Sequence, residues 1–228
     1  LEKVLKEFKV FLEDDVFVAH DIKFDYTFVS DSFEKFHLGK LLNRKICSID
    51  LAKRTIESEK YGLSFLKEVK SVQLVFDYSG MSVGKFENGE EYVALKKKEY
   101  NEKEPGKGDK WENEWLSDRT TRFQVNFQKA LSLKYTAIDF NENNKSEFKL
   151  IVRTVSTEPG FNAYIERKPA MVDLEMKFIS DSGEEMAVLK MEKVPGRDVK
   201  SYAPGPRIEG AYSRAGATLG KFLIKNVN

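Results

Sequence analysis

The sequence predicts an α+β protein built from two units, and three observations support this. Apolar residues recur at helical spacing before residue 57. After residue 70 several segments alternate with period two, and two helical stripes interrupt them. Rare residues are also divided, since both histidines and the one cysteine precede residue 48 while all six prolines and both tryptophans follow residue 80. We therefore predict units at 1–68 and 71–228, with the boundary at 69–71.

Composition limits the classes of function. The chain has 228 residues, of which 41% are hydrophobic and 33% charged, as in ordinary globular proteins. Its net charge of +1 indicates no general affinity for nucleic acid or membranes, so any such partner needs a local site. The sequence shows neither an apolar run long enough for a membrane span nor a signal peptide. Because Leu1 is not a start methionine, we expect that upstream sequence was removed.

The first unit is predicted to contain helix, strand, helix and helix. An amphipathic opening helix is indicated by the spacing of Val4, Leu5, Phe8, Phe11 and Leu12. Residues 16–19 form a short apolar run typical of a buried strand. Helical patterns follow through Phe24, Phe28, Phe33 and Phe36, and again over 49–56. With one strand and no partner strand of its own, this unit is expected to be marginally stable alone.

The second unit is predicted to be an antiparallel β-sheet domain with two packed helices. Period-two strands are indicated around 72–78, 148–152 and 172–178, and a partly buried strand over 186–191. One helix is predicted over 123–131 after the N-cap candidates Ser117 and Asp118. A second is predicted over 208–223, where apolar residues form a continuous stripe.

The stretch between the predicted strand around 72–78 and the predicted helix over 123–131 is expected to be loop and strand. Residues 104–111, Glu-Pro-Gly-Lys-Gly-Asp-Lys-Trp, favour a flexible hairpin loop over an anion-binding loop, because the spacing of a phosphate-cradling motif is absent. Lys96, Lys97 and Lys98 are expected to lie on a solvated strand edge.

Three spaced segments of the first unit carry a resemblance to a known family. Phe17-Val18-Ala19-His20-Asp21-Ile22-Lys23-Phe24-Asp25 resembles the second motif of the DEDDh 3′-to-5′ exonucleases. Residues 45–54 and 61–66 resemble the Cys-Thr-x-x-Leu-Ala-Arg and Tyr-Gly-Leu-x-x-Leu stretches of the epsilon-type proofreading subunits of DNA polymerase III. The resemblance implies that residues 1–68 are the central part of an RNase H-like exonuclease fold, and that the partner is a DNA 3′ end.

The resemblance also implies roles for four residues. Asp25 is expected to be catalytic and to hold Mg²⁺ or Mn²⁺ through water, because these hard cations prefer carboxylate oxygens. His20 and Asp21 are expected to border the substrate cleft. Phe24 is expected to contact substrate and, with Phe28, to pack beneath the cleft. Without the resemblance, Asp25 reads equally well as a solvated or N-capping acid, and His20 as an ordinary core or surface histidine.

Departures from the family predict that the segment is catalytically incompetent as it stands. The family's Asp-x-Glu strand is not found among the nineteen residues before His20, and its third motif is missing because no histidine follows His37. Two-metal hydrolysis needs several carboxylates and a proton acceptor, and Asp25 supplies one ligand. Asp21 also stands where the family has a neutral Asn, and its charge is expected to repel a phosphate backbone.

The second unit offers no catalytic constellation, since neither His nor Cys follows residue 70. Residues 69–226 resemble an uncharacterised family of small secreted proteins from Bacteroidetes-type bacteria, which implies a noncatalytic cell-envelope binding or assembly module with an unknown protein or cell-surface ligand. The exonuclease resemblance implies a cytoplasmic location, whereas this one implies a periplasmic or secreted location. A third hypothesis is therefore an artificial fusion of two unrelated pieces.

Overall fold

A computed structural model describes most of the chain. The chain divides into two compact units, residues 1–55 and 56–228. The residues that it describes are 2–13, 16–19, 22–47, 57–59, 62–143, 145–163, 166–196 and 201–227. The division in contacts thus lies earlier than the boundary at 69–71 that composition predicts.

The first unit contains a β-α-β arrangement after its opening helix. Its elements are α1 (Glu2–Leu12), β1 (Phe17–Ala19), α2 (Ile22–Lys35) and β2 (Lys45–Cys47). The expectation of a single unpaired strand was wrong, because β2 pairs with β1 in parallel, with Phe17 opposite Lys45. A helical crossover such as α2 is what a parallel pair requires. The predicted helix over 49–56 lies outside the described residues.

The core of the first unit is small. Among its described residues, the buried side chains are Leu5, Leu12, Phe17, Phe33 and Leu41. The Tyr26 hydroxyl donates a hydrogen bond to the Leu41 carbonyl at 2.7 Å and ties α2 to the chain before β2. That this unit is marginally stable alone stays a prediction.

The second unit is built on a seven-stranded sheet with strand order β3-β11-β10-β7-β4-β6, in which β5 also pairs with β7. Its strands are β3 (Glu57–Glu59), β4 (Ser71–Asp77), β5 (Ser82–Val83), β6 (Asp139–Asn141), β7 (Phe148–Glu158), β10 (Met171–Ser180) and β11 (Glu185–Pro195). A separate two-stranded pair consists of β8 (Phe161–Ala163) and β9 (Glu166–Lys168).

The sheet is mixed and not antiparallel as expected. The β7, β10 and β11 strands run antiparallel, and a turn at 181–184 joins β10 to β11, whereas the β8–β9 pair lies in the connection from β7 to β10. However, β4 is parallel to both β6 and β7. The difference has a topological cause, because the chain leaves β4, forms a group of helices and returns, and such a long crossover permits parallel pairing.

Helices cover one face of this sheet. They are α3 (Gly89–Lys103), α4 (Lys107–Asp118), a π-helical segment (Arg119–Gln124), α5 (Val125–Lys134) and α6 (Pro204–Asn226). The α6 helix buries its stripe of Ile208, Ala211, Tyr212, Ala215, Leu219 and Leu223 completely. The inward residues of the strands, such as Leu150, Leu174 and Leu189, are equally buried. One large core therefore lies between sheet and helices.

Two of the helices were not predicted. The expected loop at 104–111 reduces to a short turn at 104–106, in which Gly106 adopts φ 83°, between α3 and α4. The expected lysine-rich strand edge lies within α3, which starts where the Asn88 side chain accepts a hydrogen bond from the Glu90 amide. A helix with such a polar surface shows little apolar periodicity, so its sequence resembles a solvated strand or loop.

The N-cap roles expected for Ser117 and Asp118 were also wrong. Both residues lie in the last turn of α4, and the helix continues through the π-helical segment into α5. The Asp118 carboxylate instead accepts a hydrogen bond from Arg122 Nε at 2.7 Å. Helical backbone on both sides leaves no free amides for these side chains to cap.

The second unit includes part of the segment that resembles exonucleases. The β3 strand pairs with β11, and a 3₁₀ turn (Leu63–Leu66) buries Leu63 and Leu66 in the large core. Phe65 adds ring contacts with Phe148 and Phe178, at centroid distances of 5.2 and 5.8 Å. Sequence resemblance and tertiary packing thus divide the chain at different places.

A buried arginine joins two loops of the second unit. Arg207, 6% exposed, donates hydrogen bonds to the carbonyls of Pro159, Gly160, Ser201 and Tyr202 at 2.8–3.1 Å. These carbonyl dipoles replace the hydration of the guanidinium, whose pKa burial lowers. Arg207 therefore fixes the loop after β7 against the beginning of α6.

The packing of α5 on α6 leaves no room for a side chain at Gly216. A Cβ at this position overlaps the backbone carbonyl of Phe127, whereas a Cβ at Gly62 has no heavy atom within 4 Å. Gly62 also has an ordinary φ of −65°. The two glycines therefore form a matched pair for testing helix packing.

We predict that Gly216→Ala lowers the free energy of unfolding by about 1–3 kcal/mol, because the two helices must separate. Gly62→Ala is expected to leave stability unchanged or to raise it by up to about 1 kcal/mol. Urea unfolding followed by circular dichroism measures both. Equal stabilities of the two variants would contradict the close approach of α5 and α6.

Candidate functional site

Asp25 lies where a parallel β-α-β unit commonly places a ligand. It is half-buried in the first turn of α2, three residues after the position where that helix begins and close to the carboxyl end of β1. Ligands of α/β sheets bind outside the carboxyl ends of parallel strands. Within the ranges that the structure describes, the Asp25 carboxylate has no hydrogen bond or ion pair to another side chain.

The aromatic residues near Asp25 do not pack as expected. Phe24 and Phe28 are 69% and 60% exposed, so the expectation that they lie beneath a cleft was wrong. The reason is helical geometry, because Tyr26, Val29 and Phe33 form the face of α2 that contacts the small core. Phe24 and Phe28 follow on the opposite face, where Phe24 remains accessible to a substrate.

The other predicted site residues, His20 and Asp21, lie outside the described residues. Among the residues with a described position, no three His, Cys, Asp or Glu side chains are grouped closely enough to hold a metal ion. Of the predicted site residues, the structure therefore describes Phe24 and Asp25.

The second unit contains a cleft that the sequence analysis did not predict. It is a cleft of about 680 Å³ between the β4–β5 connection and the helices α3 and α4. Its apolar lining includes Met81, Val93, Ala94 and Leu116, and its polar lining includes Tyr78, Asn88, Glu90, Lys97, Glu112 and Arg119. The volume lies within the range of about 300–1,000 Å³ that small-molecule sites occupy.

The two cations of the cleft differ in their surroundings. Lys97 is paired with Asp109 at 3.0 Å and with Glu112 at 2.8 Å, and these partners raise its pKa to about 12. The Arg119 guanidinium lies over the Tyr78 ring at 5.0 Å from its centroid. In the described part of the chain it has no carboxylate within ion-pair distance. Arg119 therefore contributes the uncompensated positive charge.

The floor beneath Arg119 is a buried polar network. The Tyr212 and Thr154 hydroxyls are hydrogen-bonded at 2.5 Å, and both residues are fully buried. Phe123 of the π-helical segment stacks on Tyr212 with centroids 5.0 Å apart. Burial raises the pKa of Tyr212 and of its neighbour Tyr78, because the phenolate form loses its hydration. These phenols are neutral donors and acceptors at physiological pH.

No local signal in the sequence identified this cleft. Tyr78, Lys97 and Arg119 are separated by about twenty residues each and come from a strand end and two helices. Only the fold brings these three residues together. Neither α3, which carries Lys97, nor the π-helical segment, which carries Arg119, was predicted as a helix. The π-helical segment that carries Arg119 is a feature enriched at functional sites, but it has no sequence signature.

Comparisons with known proteins support the exonuclease resemblance over the same segment. An exonuclease family model, RNase_T, matches residues 1–75. The chain is also 40% identical over 76 residues to the PolC-type DNA polymerase III of Staphylococcus aureus, including strains MW2 and USA300. That match covers 32% of this chain and 5% of the polymerase. The N-terminal segment is therefore exonuclease-like, and the chain spans a small part of the length of these relatives.

Solved structures with a likeness to the chain have low similarity. A PelC dodecamer from Paraburkholderia phytofirmans is 12% identical with a TM-score of 0.34, covering 70% of this chain and 97% of that one. A Xanthomonas campestris protein with the family model DUF330 is 11% identical with a TM-score of 0.29, covering 68% of this chain and 85% of that one. TM-scores of this size do not establish a common fold.

No helix in the described residues combines the length and the apolar character that crossing a membrane requires.

We predict that the buried phenols make stability depend on alkaline pH. Because the pKa of Tyr212 is raised in the folded state, its contribution to the free energy of unfolding is complete below about pH 10, the pKa of an unfolded tyrosine. The free energy of unfolding falls as the pH rises above that value. Each such tyrosine contributes a slope of up to about 1.4 kcal/mol per pH unit. Tyr212→Phe should show a shallower decline than the wild type between pH 9 and 11.

The matched control is Tyr202→Phe, since the Tyr202 side chain is exposed. Its unfolding free energy should follow the wild-type pH profile. Tyr212→Phe is also expected to cost about 1 kcal/mol at pH 7, because Thr154 loses its partner. Urea titrations at several pH values give both quantities, and identical pH slopes for all three proteins would refute the burial of the Tyr212 phenol.

Proposed function

We propose that residues 1–75 are an exonuclease-like segment that retains one metal ligand, Asp25, and does not hydrolyse DNA by itself. The observation that carries this proposal is the position of Asp25, which lies in the first turn of a helix directly after a parallel strand, inside the segment that matches exonucleases. A carboxylate held there is suited to bind Mg²⁺ or Mn²⁺ through water.

The chemistry of phosphodiester hydrolysis argues for incompetence. A DEDDh-type site uses four acids and a histidine to hold two metals and to deprotonate the attacking water. No histidine follows His37, so the segment after α2 does not supply that proton acceptor. One ligand and its water shell would polarise a phosphate only weakly.

The remaining predicted site residues define how DNA would meet this segment. Phe24, one residue before Asp25 and largely exposed, offers an aromatic face on which a terminal base could stack. His20 and Asp21 precede α2 in sequence and are proposed to border the same site. The negative charge of Asp21 opposes a phosphate backbone, and this again favours weak binding over turnover.

A second role is favoured for residues 56–228 by the cleft of about 680 Å³. We propose that this unit is a noncatalytic binding module, in agreement with the absence of His and Cys after residue 47 in the sequence. The two roles belong to different compartments, cytoplasmic for the exonuclease resemblance and periplasmic or secreted for the binding module. A junction of two unrelated pieces explains both the composition shift and the differing resemblances.

We predict that the full chain, with 5′-labelled single-stranded DNA and Mg²⁺ or Mn²⁺, gives no 3′ trimming on denaturing gels. Asp25→Ala provides the decisive comparison, and Asp31→Ala, an exposed acid on the same helix, provides the control. Trimming that persists in Asp31→Ala and disappears in Asp25→Ala would overturn the claim of incompetence.

The same variants test the proposed ligand. Mn²⁺ binding, followed by electron paramagnetic resonance of the free ion, should show one weak site with a dissociation constant on the order of a millimolar. Asp25→Ala should lose this site and Asp31→Ala should keep it. Equal Mn²⁺ binding by both variants would show that Asp25 is not the ligand.

A further inference from the structure

The cleft of the second unit combines an apolar wall with one uncompensated cation. We propose that it binds a small molecule with a single carboxylate and an apolar tail, the carboxylate on Arg119 and the tail along Met81, Val93 and Leu116. This inference rests on the binding role proposed for the second unit, and it adds the chemical class of the ligand.

Arg119 is held in an orientation suited to a carboxylate. Its guanidinium lies on the face of the Tyr78 ring at 5.0 Å, which restricts the side chain without consuming its N–H donors. The Tyr78 hydroxyl lies 3.5 Å from the Arg119 carbonyl, so strand β4 and the π-helical segment are joined beneath the cleft. A planar guanidinium with free donors binds a carboxylate through two parallel hydrogen bonds.

The ligand is limited to one negative charge by the other ionic groups of the cleft. Lys97 is already paired with Asp109 and Glu112, whose two negative charges exceed its single positive charge. Glu90 and Glu112 also line the cleft, and they would repel the second charge of a phosphate monoester or the backbone of a nucleic acid. A monocarboxylate pairs with Arg119 and brings no second negative charge for Glu90 and Glu112 to repel.

The apolar part of the lining favours a tail. Met81 is buried, Val93 is half-buried, and Leu116 is 44% exposed on the α4 side of the cleft. Covering Val93 and Leu116 removes apolar surface from water, which is the main source of affinity in such sites. A short carboxylate such as acetate would reach Arg119 but leave this wall exposed, so it should bind much more weakly.

The test uses the full chain and three eight-carbon probes below their micelle-forming concentrations: octanoate, octanol and octylammonium. Isothermal titration calorimetry should show binding of octanoate at one site, at least about tenfold tighter than octanol, because a charge-assisted pair is added. Octylammonium should bind more weakly than octanoate, because it lacks the carboxylate that Arg119 binds. Inorganic phosphate and acetate should show no measurable binding at the same concentrations.

Matched arginine variants test the role of Arg119. Arg119→Gln should weaken octanoate binding about tenfold and leave octanol binding unchanged. Arg122→Gln is the control, because Arg122 lies one turn further along, is paired with Asp118 and Glu209, and does not line the cleft. Leu116→Glu, at a half-exposed position that tolerates charge, should abolish octanoate binding and provides a second test if Arg119→Gln does not fold.

The outcomes separate this inference from the binding role on which it rests. If octanol and octanoate bind equally well and Arg119→Gln has no effect, the cleft is a binding site but the carboxylate assignment is wrong. If none of the probes binds, both the inference and the proposed binding role are contradicted. Octanoate binding that Arg119→Gln weakens and Leu116→Glu abolishes supports the two together.

Discussion

The burial of α6 on one face of the seven-stranded sheet is the constraint on which the second unit depends. Six apolar residues of α6 are fully buried, and Gly216 lets α5 approach until its backbone lies in contact with the helix. This packing fixes α5, and through the π-helical segment it fixes Arg119 above Tyr78. The position of the cleft therefore follows from helix packing far from its own lining residues.

The first unit lacks a comparable constraint. Its described part has five buried core side chains, against thirty-one in the core of the second unit. In the β-α-β arrangement, Asp25 lies in the first turn of α2, which follows the parallel strand β1. Phe24 and Phe28 are exposed on the face of α2 opposite its core contacts.

The sequence predicted those elements whose local pattern and tertiary role agree. The strands around 72–78 and 172–178 and the stripe of α6 bury one face each, so their periodicity survives in the sequence. The α3 and α4 helices were missed because their surfaces are largely polar, and β2 was missed because three residues carry too little pattern. The Asp25 assignment came from a motif, whereas Arg119 depended on distant contacts that no local pattern encodes.

Native-state hydrogen exchange tests most directly the claim that the large core of the second unit holds the stability of this protein. The account predicts that amides of β7, β10 and α6 exchange only through global unfolding, with opening free energies equal to the value from urea unfolding. Amides of α1, β1 and α2 should exchange through a much smaller opening free energy, with little dependence on denaturant. Equal protection of both sets, lost together in one transition, would contradict it.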